Sequence, residues 1–266
     1  MRVGARKIVS RYQKYGLPAG IFGFLLLGGA VICRVDPVAL ITGIPRGIDL
    51  VGYLFPPAWN TFPDLVGPAL KTVEVAFVGT VFGASLSLAI GLVAAHNLNS
   101  NRILRNTVRA LLSAERALPD LIVVLFFVAI VGLGPFPGVM ALAAGSIGML
   151  GKLFADAIEE VDPKPIESMV AIGATKAQVI RYAVLPQVIP SLIANTLYRF
   201  EVNIRMSIFL GVVGAGGIGF NVVTSLRLLK YQEAMACILT ILILVTLCEK
   251  FSERVRRIIV GQELLR

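Results

Sequence analysis

EEVDPKPIESMVAIGATKAQVIRYAVLPQVIP, residues 159–190, lies between two long apolar runs and carries a plan of its own. Pro163 and Pro165 suit the first turn of a helix, where no backbone N–H partner is lost. A short helix over about 165–172 presents Ile166, Met169, Val170 and Ile172. Gly173 follows as a helix-ending residue. Thr175-Lys176-Ala177-Gln178 matches a capping box, with Thr175 as N-cap and Gln178 at N3. A second helix runs to about 184, and Pro186 marks entry into the next apolar run. Two short amphipathic helices meeting at a bend along a membrane face are the result, and such helices can rest on lipid headgroups alone.

The flanks place this elbow in a membrane protein. Of 266 residues, 56% are hydrophobic and 15% charged, with mean hydropathy +0.82. Soluble domains carry about 25% charged residues. A spanning helix takes roughly 20 apolar residues, so the length admits five to seven spans and no separate soluble domain. The fold class is all-α integral membrane with about six transmembrane helices. The expected spans are about 17–35, 69–95, from near 108 to the GLGPFPG segment at 132–138, 137–158, 187–211 and 233–251. The third span then holds Glu115, Arg116 and Asp120. A Pro- and Gly-rich connection fills 36–66. The chain therefore divides into a basic tail (1–16), a first span (17–35), an extracytoplasmic connection (36–66), a membrane-spanning core (67–260) and a short tail (261–266). The elbow occupies about 163–185 of the core. Leu17–Cys33 lacks a small-x-small cleavage site and reads as a retained span.

Net charge is +9 and the pI about 9.8. The basic residues lie mainly between the apolar runs, so they read as topology signals; no nucleic-acid-binding module is evident. With the N-terminus in the cytoplasm, the inner segments hold Arg2, Arg6, Lys7, Arg11, Lys14, Arg102, Arg105, Arg109, Lys164, Lys176, Arg181, Lys250, Arg254, Arg256, Arg257 and Arg266. The outer segments hold only Arg34, Arg46, Lys71, Arg227 and Lys230. This agrees with the positive-inside rule and puts both termini in the cytoplasm. Cys33, Cys237 and Cys248 lack metal-ligand spacing, and His96 is the only histidine, which disfavours a metal centre.

Span five carries Arg199, Glu201, Asn203 and Arg205. A charge near the bilayer centre costs about 2.5–3.5 kcal/mol, so these side chains must face protein or water. Glu201 can pair with Arg205, and Arg199 with Asn203, at i,i+4. One positive charge remains, and a guanidinium suits a passing oxyanion. With Arg116 and Asp120, these four are translocation-pathway candidates. The alternative is structural pairing with Glu74, Glu115, Asp120 or Asp156. Glu159, Glu160 and Asp162 read as a solvated loop. Gly214, Gly216, Gly217 and Gly219 fit G-x-G-x-x-G, but no strand or acidic partner supports a dinucleotide site. They fit tight packing or a bend near an outer mouth, and 206–226 could instead form a short or re-entrant span. There is no G-x-x-x-x-G-K-[ST] phosphate-binding loop, so the chain does not read as an ATPase of its own.

Glu167, Gly173 and Leu185-Pro186 keep the spacing of the EAA motif of ABC-importer permeases, from which Ser168, Met169 and Ala183 depart. GLGPFPGVMAL (132–142), GMLGKLFADAIEEVD (148–162), VLPQVIP (184–190) and LYRFEVNIRMSIFLGVVGAGGIGF (197–220) resemble the phosphonate permease family of these importers. The resemblance covers about 66–260. It implies a MetI-like type I ABC importer permease fold and a non-catalytic subunit in the bacterial plasma membrane. The segment with Glu167, Ala171, Gly173, Ala174, Thr175, Leu185 and Pro186 becomes a coupling helix docked on a cytoplasmic ATPase. Implied partners are a second copy, two ATPase subunits holding ATP and Mg, an extracytoplasmic phosphonate-binding protein and lipid, with no cofactor on this chain. Phosphonate, phosphite or phosphate esters are the implied cargo. The alternatives are an importer for phosphate or an amino acid, or a channel or membrane enzyme outside this class.

Overall fold

The structure, a computed structural model, describes residues 18–261. The basic tail expected at 1–16, Leu17 and residues 262–266 lie outside the described residues. The described elements are all helical, and the described residues form two compact units that divide between Tyr53 and Leu54.

In the first unit, α1 (Pro18–Ile32) and α2 (Pro37–Leu54) are apolar helices bent by 58° across a short break. Asp36 starts α2, its carboxylate accepting from the backbone N–H of Val38 (2.8 Å) and Ala39 (3.1 Å), as an N-cap does. The connection expected at 36–66 is therefore helical over its first half. Pro37 sits in the first turn, where its missing N–H costs nothing. Only together are α1 and α2 long and apolar enough to cross a membrane.

The second unit contains α3 (Phe62–Ala94), α4 (Arg102–Ala117), α5 (Asp120–Val131), α6 (Pro135–Glu159), α7 (Pro163–Ala171), α8 (Lys176–Val179), α9 (Leu185–Leu210), α10 (Ile218–Arg227) and α11 (Tyr231–Gly261). Four stretches can each cross a membrane by length and composition: Trp59–Ala94, Pro135–Glu159, Lys176–Ala215 and Tyr231–Ile259. The third expected span is broken. Leu118 and Pro119 are extended (ψ 129° and 131°), because a proline drives its predecessor out of the α region. The break leaves α5 only 12 residues.

α3 and α6 run side by side in the same direction, and small residues let them approach. Gly79, Gly83, Ser87 and Gly91 recur every four residues along α3, so they share one face. A Cβ on Gly83 would lie 2.5 Å from Ser146 Cβ and 2.8 Å from the Ala143 carbonyl. A Cβ on Gly79 would lie 2.8 Å from Leu142 Cβ, and one on Gly91 3.0 Å from Phe154 Cβ. α6 carries a second stripe, Gly145, Gly148 and Gly151, which receives Asp120, Glu115 and Leu112 from the broken α4–α5 pair. α9 runs antiparallel to α3: Ser207 reaches Thr72 at one end, and Val184 packs with Ala95 at the other. Gly83→Leu is expected to destabilise the isolated chain by about 1–3 kcal/mol through overpacking. Gly67→Leu, where added atoms meet nothing within 4 Å, serves as the control, with both read as a melting-temperature shift in detergent.

Candidate functional site

The elbow forms as local chemistry dictates. Asp162 caps α7, accepting from Lys164 N–H at 3.0 Å. At its far end Gly173 N–H donates to the Val170 carbonyl (2.9 Å) and Ala174 N–H to Met169 (3.0 Å). Those two bonds define a Schellman ending, which needs a left-handed residue; Gly173 supplies it at φ +79°. Thr175 and Gln178 form the expected capping box: Thr175 N–H donates to Gln178 Oε1 at 2.7 Å, and Gln178 N–H to Thr175 Oγ1 at 3.4 Å. Ile166 packs toward the core and Met169 is half-buried. Glu167, Ala171 and Gly173 are exposed, with Val170 and Ile172 beside them.

The second elbow helix does not stop before the span. After α8 the backbone widens into a π-turn over Ile180–Val184 and continues as α9, with Pro186 in its first turn. Proline brings no N–H to this turn, and single π-turns of this kind are concentrated at functional sites. Gln187 spans the join. Its Nε2 donates to the Ala183 carbonyl at 2.7 Å, and its Oε1 accepts from Asp162 N–H at 3.0 Å. Leu185 packs against the cluster that holds Ile158, Val184 and Val188. The elbow is thus tied to the start of α9 and the end of α6. Gln187 was not singled out from the sequence; the available signal was a polar residue beside Pro186 at the mouth of an apolar run.

A second network holds the neighbouring helix ends. Arg109 Nε donates to the Ala94 carbonyl at 3.0 Å, and its Nη2 pairs with Glu159. Glu159 also accepts from His96 N–H at 2.7 Å and faces His96 Nδ1 at 3.0 Å. Asn97 donates to the Ile158 carbonyl at 2.7 Å. Glu159 therefore belongs to a three-helix junction rather than a solvated loop, because the α3 and α6 ends meet α4 there. Glu160 is exposed.

The charges of α9 find partners on other helices. Glu201 pairs with Arg256 (2.8 Å) and Arg205 with Glu249, both on α11. The i,i+4 pairs Glu201–Arg205 and Arg199–Asn203 are not formed, since Arg256 and Glu249 of α11 take Glu201 and Arg205, and Ser146 of α6 takes Arg199 and Asn203. Arg199 is 6% exposed and donates from Nε to Ser146 Oγ at 3.1 Å. Asn203, fully buried, donates to Thr80 Oγ1 (2.8 Å) and the same Ser146 Oγ (2.9 Å). Arg199 Nη2 and Asp120 Oδ1 both border Gly145, and Glu115 borders Gly148. A Cβ on Gly145 would sit 2.6 Å from that nitrogen and 3.0 Å from that oxygen. Arg199 Nη2, Asn203 Oδ1 and Glu115 Oε2 have no hydrogen-bond partner in the protein, so the cluster has polar capacity in reserve. Arg116 is exposed on α4. Glu74 pairs with Lys71 at 3.2 Å, and Asp156 lies 3.8 Å from Arg109.

The glycine stretch is a bend. α9 ends at Leu210, and Gly214, Gly216 and Gly217 take φ +94°, +77° and +74°. Gly217 rests on Thr72 Oγ1, which accepts from Ile218 N–H at 3.0 Å. Gly219 packs on the Ile208 carbonyl so closely that a Cβ would overlap it. The chain then turns through α10, which has 10 residues and is too short to span a bilayer.

Residues 87–260 match the family described as binding-protein-dependent transport system inner membrane component. The phosphite transport system permease protein PtxC of Stutzerimonas stutzeri is 41% identical over 92% of this chain and 90% of its own length. The phosphate-import permease protein PhnE of Mycolicibacterium smegmatis is 38% identical over 92% of this chain, which spans 46% of that protein. Among solved structures, inward-facing conformations of the MetNI methionine ABC transporter superpose with TM-score 0.66 and 25% identity, over 73% of this chain and 95% of the matched chain.

Proposed function

We propose, from the premise that this chain belongs to the binding-protein-dependent transport system inner membrane components, that it is the pathway-forming subunit of an ATP-driven importer for phosphorus oxyanions. The exposed, doubly capped elbow carries the mechanism. It is rigid because both caps are closed, and Gln187 ties it to α9. A motor subunit gripping Glu167 and the Gly173 turn would move α9 and the end of α6 together, as rigid levers do in switching proteins. Two copies around a two-fold axis, two ATPase subunits holding ATP and Mg, and a binding protein on the opposite face complete the machine. The side bearing the elbow is cytoplasmic in this reading, as are both termini.

The cargo class is supported by the phosphite and phosphate permeases at 38–41% identity. Pathway candidates remain Arg199, Glu201, Asn203, Arg205, Arg116 and Asp120, and their surroundings rank them. Arg199 lies among the Asp120 and Glu115 carboxylates, which oppose an oxyanion, whereas Arg205 and Arg116 are exposed. Arg116, exposed and in no ion pair among the described residues, and Arg205, exposed and facing the single carboxylate of Glu249, are therefore the better placed to meet a passing anion, with Gly214, Gly216, Gly217 and Gly219 forming the bend at the far mouth. Methionine is the competing cargo, because the matched fold occurs in a methionine transporter.

Reconstitution with the ATPase and binding protein tests the reading. ATP-dependent uptake of labelled phosphite or methylphosphonate, with methionine excluded, is the expected result. Uptake of methionine alone, or oxyanion flux through the chain without ATPase, refutes it.

A further inference from the structure

Two cavities in the second unit share a wall. One, of about 480 Å³, lies between α3, α9 and α11 and is lined mainly by apolar side chains, including Phe77, Val81, Leu197 and Phe200. The other, of about 630 Å³, is rimmed by Lys250, Glu253, Arg254 and Arg257. Leu247 and Phe251 line both. The space therefore passes from a greasy crevice to a basic rim along one face of α11.

The adjoining face of α11 is occupied, because Glu249 and Arg256 pair with Arg205 and Glu201 of α9. On the open face Arg257 is neutralised by Glu253 at 2.6 Å. Lys250 and Arg254, one turn apart, are exposed and have no ion pair among the described residues. Two unneutralised cations next to an apolar crevice match an amphiphile with an anionic head. We propose that this composite cavity binds an anionic phospholipid, one acyl chain lying in the crevice and the headgroup phosphate held by Lys250 and Arg254. Basic residues beside a spanning helix attract such headgroups. A second copy of the chain fits less well. A second copy seated here would have to bring carboxylates to both Lys250 and Arg254, because an unpaired cation taken out of water is costly.

The lipid held here is distinct from the transported cargo. The test uses the purified full chain in phosphatidylcholine nanodiscs, titrated with phosphatidylglycerol and read by native mass spectrometry. The wild type is expected to retain phosphatidylglycerol about tenfold or more over phosphatidylcholine. Lys250→Gln with Arg254→Gln should abolish the preference, whereas Lys152→Gln with Arg102→Gln should keep it. Val81→Phe, which fills the crevice without touching a charge, should lower retention of both lipids. Equal retention of the two lipids by the wild type overturns the proposal without recourse to any variant. So does equal loss in the control pair, displacement by millimolar inorganic phosphate, or cross-linking between copies through position 250.

Discussion

Gly173→Pro is expected to reduce ATP-driven uptake at least tenfold while the chain still inserts and melts within a few degrees of wild type. Gly173 sits at φ +79°, and proline is held near −65°. The change also deletes the N–H that bonds the Val170 carbonyl, so the Schellman ending of α7 is lost. Nothing lies within 4 Å of where a Cβ would be, so the damage is to the bend and not to packing. A graded series isolates that cause. Asn tolerates the left-handed region and should retain most uptake, whereas Ala pays about 1–2 kcal/mol there and should fall between. Glu167→Ala complements the series, since Glu167 is exposed and its loss should leave stability within about 0.5 kcal/mol. If uptake and ATPase stimulation are normal in both Gly173→Pro and Glu167→Ala, the elbow is not the lever.

Arg199→Met is expected to cost about 1–3 kcal/mol, the range for leaving a buried polar group without its hydrogen-bond partner. Arg199 is almost wholly enclosed and bonds Ser146, which also anchors Asn203. Its removal leaves Asp120 and Glu115 without the cation they face across Gly145 and Gly148. Expression and melting temperature should therefore fall together with uptake. Restoring neutrality with Asp120→Asn in the same chain should recover much of the stability. If the double variant is stable and transports, Arg199 is a brace for the broken α4–α5 helix. If it is stable and silent, the Arg199 and Asp120 side chains together belong to the pathway. Arg205→Ala is the contrasting case, since Arg205 is exposed and Glu249 can be solvated; a fall in uptake without a fall in expression would mark it as a pathway group.

What could be read from the residues alone were the features closed within a few positions of chain. The Thr175–Gln178 box, the Gly173 ending and the apolar runs all involve partners fewer than about seven residues apart or a simple periodicity. The same holds for the membrane class, which follows from composition. Pro119 was visible too, but whether the third span would kink or break depended on what α6 offered beside it: Gly145 and Gly148 make room for Asp120 and Glu115.

Tertiary structure decided everything that needed a neighbour from another helix. Within α9 the i,i+4 rule offered Glu201 to Arg205, yet Arg256 and Glu249 on α11 capture them. Glu159 looked like a loop carboxylate until the ends of α3, α4 and α6 were brought together around Arg109. Gln187 became a clamp only when α7 folded back to put Asp162 within reach. The physical reason is common to all three. A polar group in a low-dielectric interior takes whichever partner satisfies it best, and linear spacing carries no information about which distant helix will lie alongside.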